Sequence, residues 1–273
     1  MILCLIRLTC RVCFGFLLLL GLGTKGLPVT AAEKDLSVDE VIRKAVARAQ
    51  KTEARTGQAA YTYTKLSITE ELDRAGRLKE RKEKVYQVFF QNGSTHLKLL
   101  TVNGRAPGAS DIKKQAESDS STRQIVGSKQ GKTPESRDNF LTPEIIARFN
   151  FKLEGQQEIN GRKAYQISFE AKRPNMPVQR ILDRLLDRMT GTVWIDTEEF
   201  EMAQAKINLG SEIDLLGGVI GSLKKLAYSM TRTRVGEGLW FNTSSSGDFE
   251  GRKLFDSMHI KTKSQSSDFR RAG

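Results

Sequence analysis

The residue types that do chemistry are scarce in this chain. It holds two histidines, His96 and His259, both within strand-like stretches. A metal centre or a Ser-His-Asp arrangement needs imidazoles converging with further ligands or with a nucleophile, and neither histidine has such company along the sequence. The carboxylate pairs Glu70-Glu71 and Glu198-Glu199 fall at predicted turns and strand ends, where solvated charge is expected. The stretch Leu209–Tyr228 (LGSEIDLLGGVIGSLKKLAY) invites comparison with a phosphate cradle. Such a loop requires G-x-x-x-x-G-K-[ST], so that amides and a lysine converge on the phosphates. Here Gly221-Ser222 is followed by Leu223, and Lys224 arrives too late. No catalytic residue, no metal and no cofactor is predicted, and the chain reads as a non-enzyme.

The same stretch is greasy. Leu215, Leu216, Val219 and Ile220 flank glycines that leave the backbone free to bend. Two readings follow: a connecting loop tucked into a core, or an apolar flap at a rim. In the second, Lys224 and Lys225 are candidates for contact with lipid headgroups.

The ends of the chain place it. Arg7 and Arg11 precede the apolar run Cys13–Leu20, and Val29-Thr30-Ala31 fits a small-x-small cleavage site. The run is shorter than the ~20 apolar residues of a membrane-spanning helix, so residues 1–31 are predicted to be a cleavable signal peptide. All three cysteines (Cys4, Cys10 and Cys13) lie within it, which leaves 242 residues without a disulfide. A disulfide-free exported chain fits the bacterial periplasm. Cleavage also leaves 41 basic against 32 acidic residues, a net charge of +9. That excess suits transient contact with an anionic membrane surface, aided by Arg232, Arg234, Arg270 and Arg271. An exported chain meets membrane rather than nucleic acid, and no nucleic-acid partner is predicted.

The elements that would position any site follow from periodicity. Ser37 and Glu40 form a capping box ahead of an apolar stripe of Val38, Val41, Ile42, Ala45, Val46 and Ala49, with Arg43, Lys44, Arg48 and Lys51 opposite. Further helices are predicted at Pro143–Phe149 behind Thr142, and within Arg173–Gly191 with Gly191 ending it. Between and after them the period is two. Strands are expected at Tyr61–Thr69, Val85–Phe90, Thr95–Val102, Phe151–Ile159, Lys163–Phe169, Thr192–Asp196, Met202–Leu209, Lys225–Val235, Leu239–Ser245 and Lys253–Lys263. Asn92-Gly93 and Asn160-Gly161 mark hairpins, and Gly236, Gly238, Gly247 and Gly251 mark turns. Residues 103–139 are polar and read as a mobile insertion with one helical turn near Ile112–Glu117. The sum is a mainly β (α+β) fold: an incomplete, strongly curved antiparallel β-barrel of about ten strands, with amphipathic helices covering or plugging its concave face.

One alternating set of strand positions is apolar: Leu66 and Ile68, Val88 and Phe90, Leu97 and Leu99, then Tyr165, Ile167, Phe169, Ile207 and Leu209. Lys98, Gln166, Ser168, Lys206 and Asn208 alternate with them, so one face is wet and one dry. The apolar set lines either a solid core or a cavity for acyl chains, and periodicity does not separate the two.

These features resemble a known group. The signal, the helix Ser37–Glu53, the opening strand Tyr61-Thr62-Tyr63-Thr64, and Gly191-Thr192-Val193-Trp194-Ile195-Asp196 followed by Phe200-Glu201-Met202-Ala203 are similar to the periplasmic outer-membrane lipoprotein-sorting proteins and their relatives. Gly238-Leu239-Trp240-Phe241 and Gly251-Arg252-Lys253-Leu254-Phe255 fit the C-terminal strands of that group. The resemblance implies a single carrier-like half-barrel over residues 32–273, acting as a monomer, whose interior accepts lipid or lipoprotein acyl chains beside a membrane or an envelope transporter. The alternative is a non-enzymatic envelope sensor or interaction domain of the same fold with a filled core.

Overall fold

The computed structural model describes residues 36–56, 61–91, 94–125, 141–172, 181–215, 221–236, 238–253 and 256–271. They belong to one compact unit, Leu36–Gly273. In chain order the elements are α1 (Val38–Thr56), β1 (Tyr61–Leu72), β2 (Leu78–Gln91), β3 (Ser94–Val102), α2 (Ala109–Ile125), α3 (Pro143–Ile146), β4 (Phe149–Ile159), β5 (Arg162–Ala171), α4 (Ile181–Leu186), β6 (Met189–Asp196), β7 (Met202–Leu209), β8 (Ile213–Leu215), β9 (Gly221–Gly236), β10 (Leu239–Lys253) and β11 (Asp256–Arg271).

All eleven strands belong to one antiparallel sheet in the order β3-β2-β1-β11-β10-β9-β7-β6-β5-β4, with β8 paired to β9. The two ends of that order do not meet, so the curved sheet is an incomplete barrel. Local chemistry explains its turns. Asn160 and Gly161 both take positive φ (50° and 77°) between β4 and β5, the geometry of a two-residue hairpin. Asp73 accepts the amides of Ala75 and Arg77 at 2.8 and 2.9 Å and turns β1 into β2. At the start of α1, Ser37 Oγ accepts the Glu40 amide, and Thr142 caps α3.

Three glycines stand elsewhere than the sequence suggests. Gly247 and Gly251 lie inside β10, so that strand runs on to Lys253 and the next occupies Asp256–Arg271. A Cβ at Gly247 would meet the Phe249 ring, and one at Gly251 would meet the Ser222 carbonyl. They permit close approach rather than a turn. Gly191 likewise sits within β6 and does not end the preceding helix, of which the described part is Ile181–Leu186. The polar insertion contains a 17-residue helix, α2, instead of one turn. Its Gln115 accepts from Lys84 Nζ and Tyr86 Oη at 2.9 and 2.8 Å, which fixes it to β2.

The main core lies where α1 meets the sheet. Val41, Ile42, Ala45 and Val46 are at most 8% exposed and pack on Tyr165, Ile167, Val193, Ile195, Ala205 and Met230. Each buried aliphatic chain contributes about 1.5–3 kcal/mol by leaving water. A second cluster of Phe149, Leu186, Met189 and Ile207 lies beneath α3 and α4.

Candidate functional site

Register shows what the inner, helix-covered face offers. Residues directly opposite across an antiparallel pair share a face. One row runs from β2 to β4 as Lys84, Ser67, Ser264, Ser245, Met230, Ala205, Val193, Ile167 and Leu153. The next runs Lys82, Thr69, Thr262, Gly247, Tyr228, Ile207, Gly191, Phe169 and Phe151. Both rows change character between β10 and β9. The inner face is apolar from β9 to β4, beneath α1, α3 and α4, and along these rows it is polar from β10 to β2.

Within the apolar half is a small cavity of about 40 Å³ lined by Leu141, Ile145, Ile146, Phe149, Phe151, Phe169, Leu186, Met189, Val193, Met202, Ala205 and Ile207. All of these described lining residues are apolar. Phe149 and Phe169 meet edge to face there, their ring centroids 5.2 Å apart. The helices over it are clasped by Arg148, which donates to Asp183 on α4 at 2.9 Å and to Asp187 just beyond it at 3.0 Å. Met189 also borders a larger cleft of about 900 Å³ at the sheet's rim, among Arg184, Asp187, Arg188 and Asp214.

The predicted apolar set divides. Phe169 and Ile207 line the small cavity, and Tyr165 and Ile167 lie beside it in the α1 core. Leu209 shares their face at the end of β7. Val88, Phe90, Leu97 and Leu99 share one face of β2 and β3, away from that cavity. Leu66 and Ile68 are a correction: Leu66 pairs with Val85 and Ile68 with Glu83, so they point to the outer face. There they line a shallow depression with Ser229, Ser244 and Lys263. The reason is that β1 crosses the polar half, so its inner positions are Lys65, Ser67, Thr69 and Glu71.

Of the flap candidates, Leu216, Val219 and Ile220 lie outside the described residues. Leu215 ends β8, whose pairing with β9 makes this stretch a hairpin, but its side chain is likewise not described. Lys224 is exposed. Lys225 is committed within the fold, with Nζ 2.9 Å from Asp248 and 3.1 Å from Glu250. His259 joins the same group, and ligand atoms of Asp248, Glu250 and His259 lie within 4.8 Å of one another. Sequence reading does not assemble this set because it spans β10 and β11. The Lys225 ammonium already bridges the two carboxylates. Burial alone would raise the Asp248 carboxyl, but hydrogen bonds from Lys225 and His259 outweigh it and hold the group below the ordinary range.

A larger surprise is a buried ion network at the opposite end of α1. Arg48 Nε donates to Glu201 Oε1 at 3.0 Å, and Arg232 Nη1 to Glu201 Oε2 at 2.8 Å. Glu199 takes Arg234 Nε at 2.7 Å and Trp240 Nε1 at 2.8 Å. Arg232 and Glu199 are thus engaged within this network, while Arg234, though paired with Glu199, is exposed, as are Arg270 and Arg271. Arg48 was legible in principle: it stands seven residues after Val41, on the helix face that meets the sheet.

Asp196 anchors the adjoining turn. It is 1% exposed, is held by Arg162 at 2.7 and 2.9 Å, and accepts the amides of Glu198 and Glu199. Burial pushes its carboxyl up, but these hydrogen bonds more than offset that and its pKa lies below the ordinary value. A depressed folded pKa stabilises fully above the unfolded value, about 4, and that stabilisation is lost as pH falls below it. Asp196→Asn is therefore expected to be less stable than the parent at pH 7, with the difference shrinking below about pH 4. Urea unfolding at both pH values measures this, and a gap independent of pH would contradict it.

Fold and inner face together define an open antiparallel half-barrel with helices on its concave side. Among solved structures, the chain is similar to an outer-membrane lipoprotein-sorting protein domain from Vibrio parahaemolyticus (12% identity, 84% of this chain and 93% of that chain, TM-score 0.36). It is also similar to the lipoprotein LppX of Mycobacterium tuberculosis (12% identity, 87% and 98%, TM-score 0.31) and to the MucA/MucB complex structure of Pseudomonas aeruginosa (8% identity, 84% and 99%, TM-score 0.24). The first belongs to the group that the sequence layout resembles. No protein-family profile matches the sequence, and no curated protein does. Among the described residues, no helix is long and apolar enough to cross a membrane.

Proposed function

We propose that the chain is an exported, non-enzymatic carrier or binding protein for lipid or lipidated protein, which holds acyl chains against the apolar half of its inner face. Residues 1–31 serve as the export signal, and residues 32–273 work in the bacterial periplasm as a single monomeric domain. The supporting observation is the wholly apolar cavity beneath α3 and α4. The described parts of these helices span four and six residues and stand outside the sheet, so displacing them uncovers Phe149, Phe151, Phe169 and Met189 without dismantling it. An entering tail gains about 0.8 kcal/mol per buried methylene. Leu209, at the end of β7, continues this face, and Leu215, Leu216, Val219 and Ile220 are kept in the proposal as apolar flap residues on their sequence alone. Lys224, Arg270 and Arg271 assist contact with anionic membrane.

A second reading is an envelope sensor or interaction domain with a filled core. The small volume of the cavity, about 40 Å³, favours it. Mass spectrometry of an organic extract of gently purified protein separates the two. A carrier yields lipid near one equivalent, and its lipid affinity changes little with salt. Protein that carries no lipid and takes up none from vesicles would exclude the first reading, and affinity for an acidic polymer that collapses with salt would identify a polyanion binder instead.

A further inference from the structure

We infer that the ligand is a lipid with a sugar headgroup, and that the polar half of the inner face is its headgroup site; the inference rests on the lipid-binding reading above. The observation is the change from apolar to hydroxyl-bearing residues along two continuous rows of one face. Beyond β9, the side chains standing beside Met230 and Tyr228 are Ser245 and Gly247, then Ser264 and Thr262, then Ser67 and Thr69. These are hydroxyls on rigid strands, half-buried in the main, and they form a polar band on a face that turns apolar again at Tyr86, Val88, Leu97 and Leu99.

That polar half contains a cavity of about 310 Å³ between β1, β2, β11 and α2. Ligand pockets begin at about 300 Å³, so it is large enough for a small headgroup. Its lining also identifies the chemistry. Lys82 and Lys84 share the lining with Glu71 and Glu80, and Lys79 also donates to Glu71 at 3.0 Å, so ammoniums and carboxylates are interleaved there rather than forming a cationic phosphate cradle. Carboxylates repel a phosphate but accept hydrogen bonds from sugar hydroxyls, while serine and threonine both donate and accept. Tyr86 and Gln115 supply an aromatic ring and an amide at the roof, held together by their 2.8 Å hydrogen bond.

Geometry links the two halves. From β9 to β1 the sheet crosses three inter-strand steps of about 4.8 Å, or roughly 14 Å. A glycerol backbone with one sugar ring covers that span, placing acyl chains under α3 and α4 and the ring over Ser67 and Thr69. A free fatty acid leaves the polar band empty, and a phospholipid brings its phosphate against Glu71 and Glu80 as well as Lys82 and Lys84.

The test compares glucosyl diacylglycerol, diacylglycerol and phosphatidylglycerol of identical acyl chains, titrated into the exported protein and read by native mass spectrometry. The glucosyl lipid should bind at least about tenfold tighter than either, the equivalent of one or two net hydrogen bonds. Thr69→Val and Ser67→Val, both in the lining of this cavity, should remove that preference while leaving diacylglycerol binding unchanged. Should a variant fold poorly, methyl glucoside competing against the glucosyl lipid on the parent protein reads the same site. Equal binding of all three lipids, or preference for phosphatidylglycerol that fades with salt, overturns the headgroup assignment and leaves the lipid-binding reading standing. Failure of all three to bind overturns both.

Discussion

Glu201→Ala should lower the stability of this domain by about 3–5 kcal/mol, the cost of removing one partner from a buried ion pair. Glu201 is 3% exposed and holds Arg48 on one oxygen and Arg232 on the other. The two guanidiniums are themselves only 17% and 19% exposed. Alanine leaves both facing each other with their shared counter-charge gone and little water to replace it. At about 2–4 °C per kcal/mol for a chain of this size, the melting temperature should fall by roughly 10 °C. Glu201→Gln keeps one acceptor oxygen and should lose less. Because the pair is shielded, added salt should move the parent's melting point little. Thermal denaturation followed by circular dichroism measures all three, and an alanine variant that melts within a degree or two of the parent would refute the role assigned to this carboxylate.

Gly191→Val should be comparably severe, at about 3 kcal/mol or more, for a steric reason. A Cβ at Gly191 would run into the carbonyl oxygen of Lys206 and come within 2.6 and 2.8 Å of the Phe169 ring. The oxygen belongs to β7, so relief requires distorting the β6–β7 ladder. Adding Phe169→Ala clears the ring but not the carbonyl, and the double variant should stay unstable. Full recovery in the double variant would show that the ring alone sets the constraint. Urea unfolding of single and double variants measures it.

These two sites also show where sequence is informative. The capped helix α1 and the Asn160-Gly161 hairpin follow from short-range chemistry, because their determinants are neighbours in the chain. Glycine is ambiguous: at Gly161 it supplies positive φ, while at Gly191, Gly247 and Gly251 it makes room for a neighbour that no local pattern reveals. Alternation likewise separates the two faces of β1, but which one is inner depends on the register with β2 and β11. Leu66 and Ile68 therefore read as inner residues and are outer ones. The ion network is long-range in the same sense, with Arg48 and Glu201 separated by 153 residues. The polar band of the inner face is not legible in the sequence because serine-rich strands carry a weak periodic signal.

One consequence of the strand order concerns the timing of assembly. β11 is inserted between β1 and β10, and it alone joins the early three-stranded meander to the remaining strands. Leu66 finds its partner Gln265 about 200 residues further along, a separation that slows folding because the intervening loop must close first. Until that strand emerges, β1 and β10 each present a bare edge capable of capturing the wrong neighbour. Whatever keeps the chain extended until β11 has arrived would protect it from misassembly, and cutting the chain before Asp256 would leave two separate, sticky fragments of sheet.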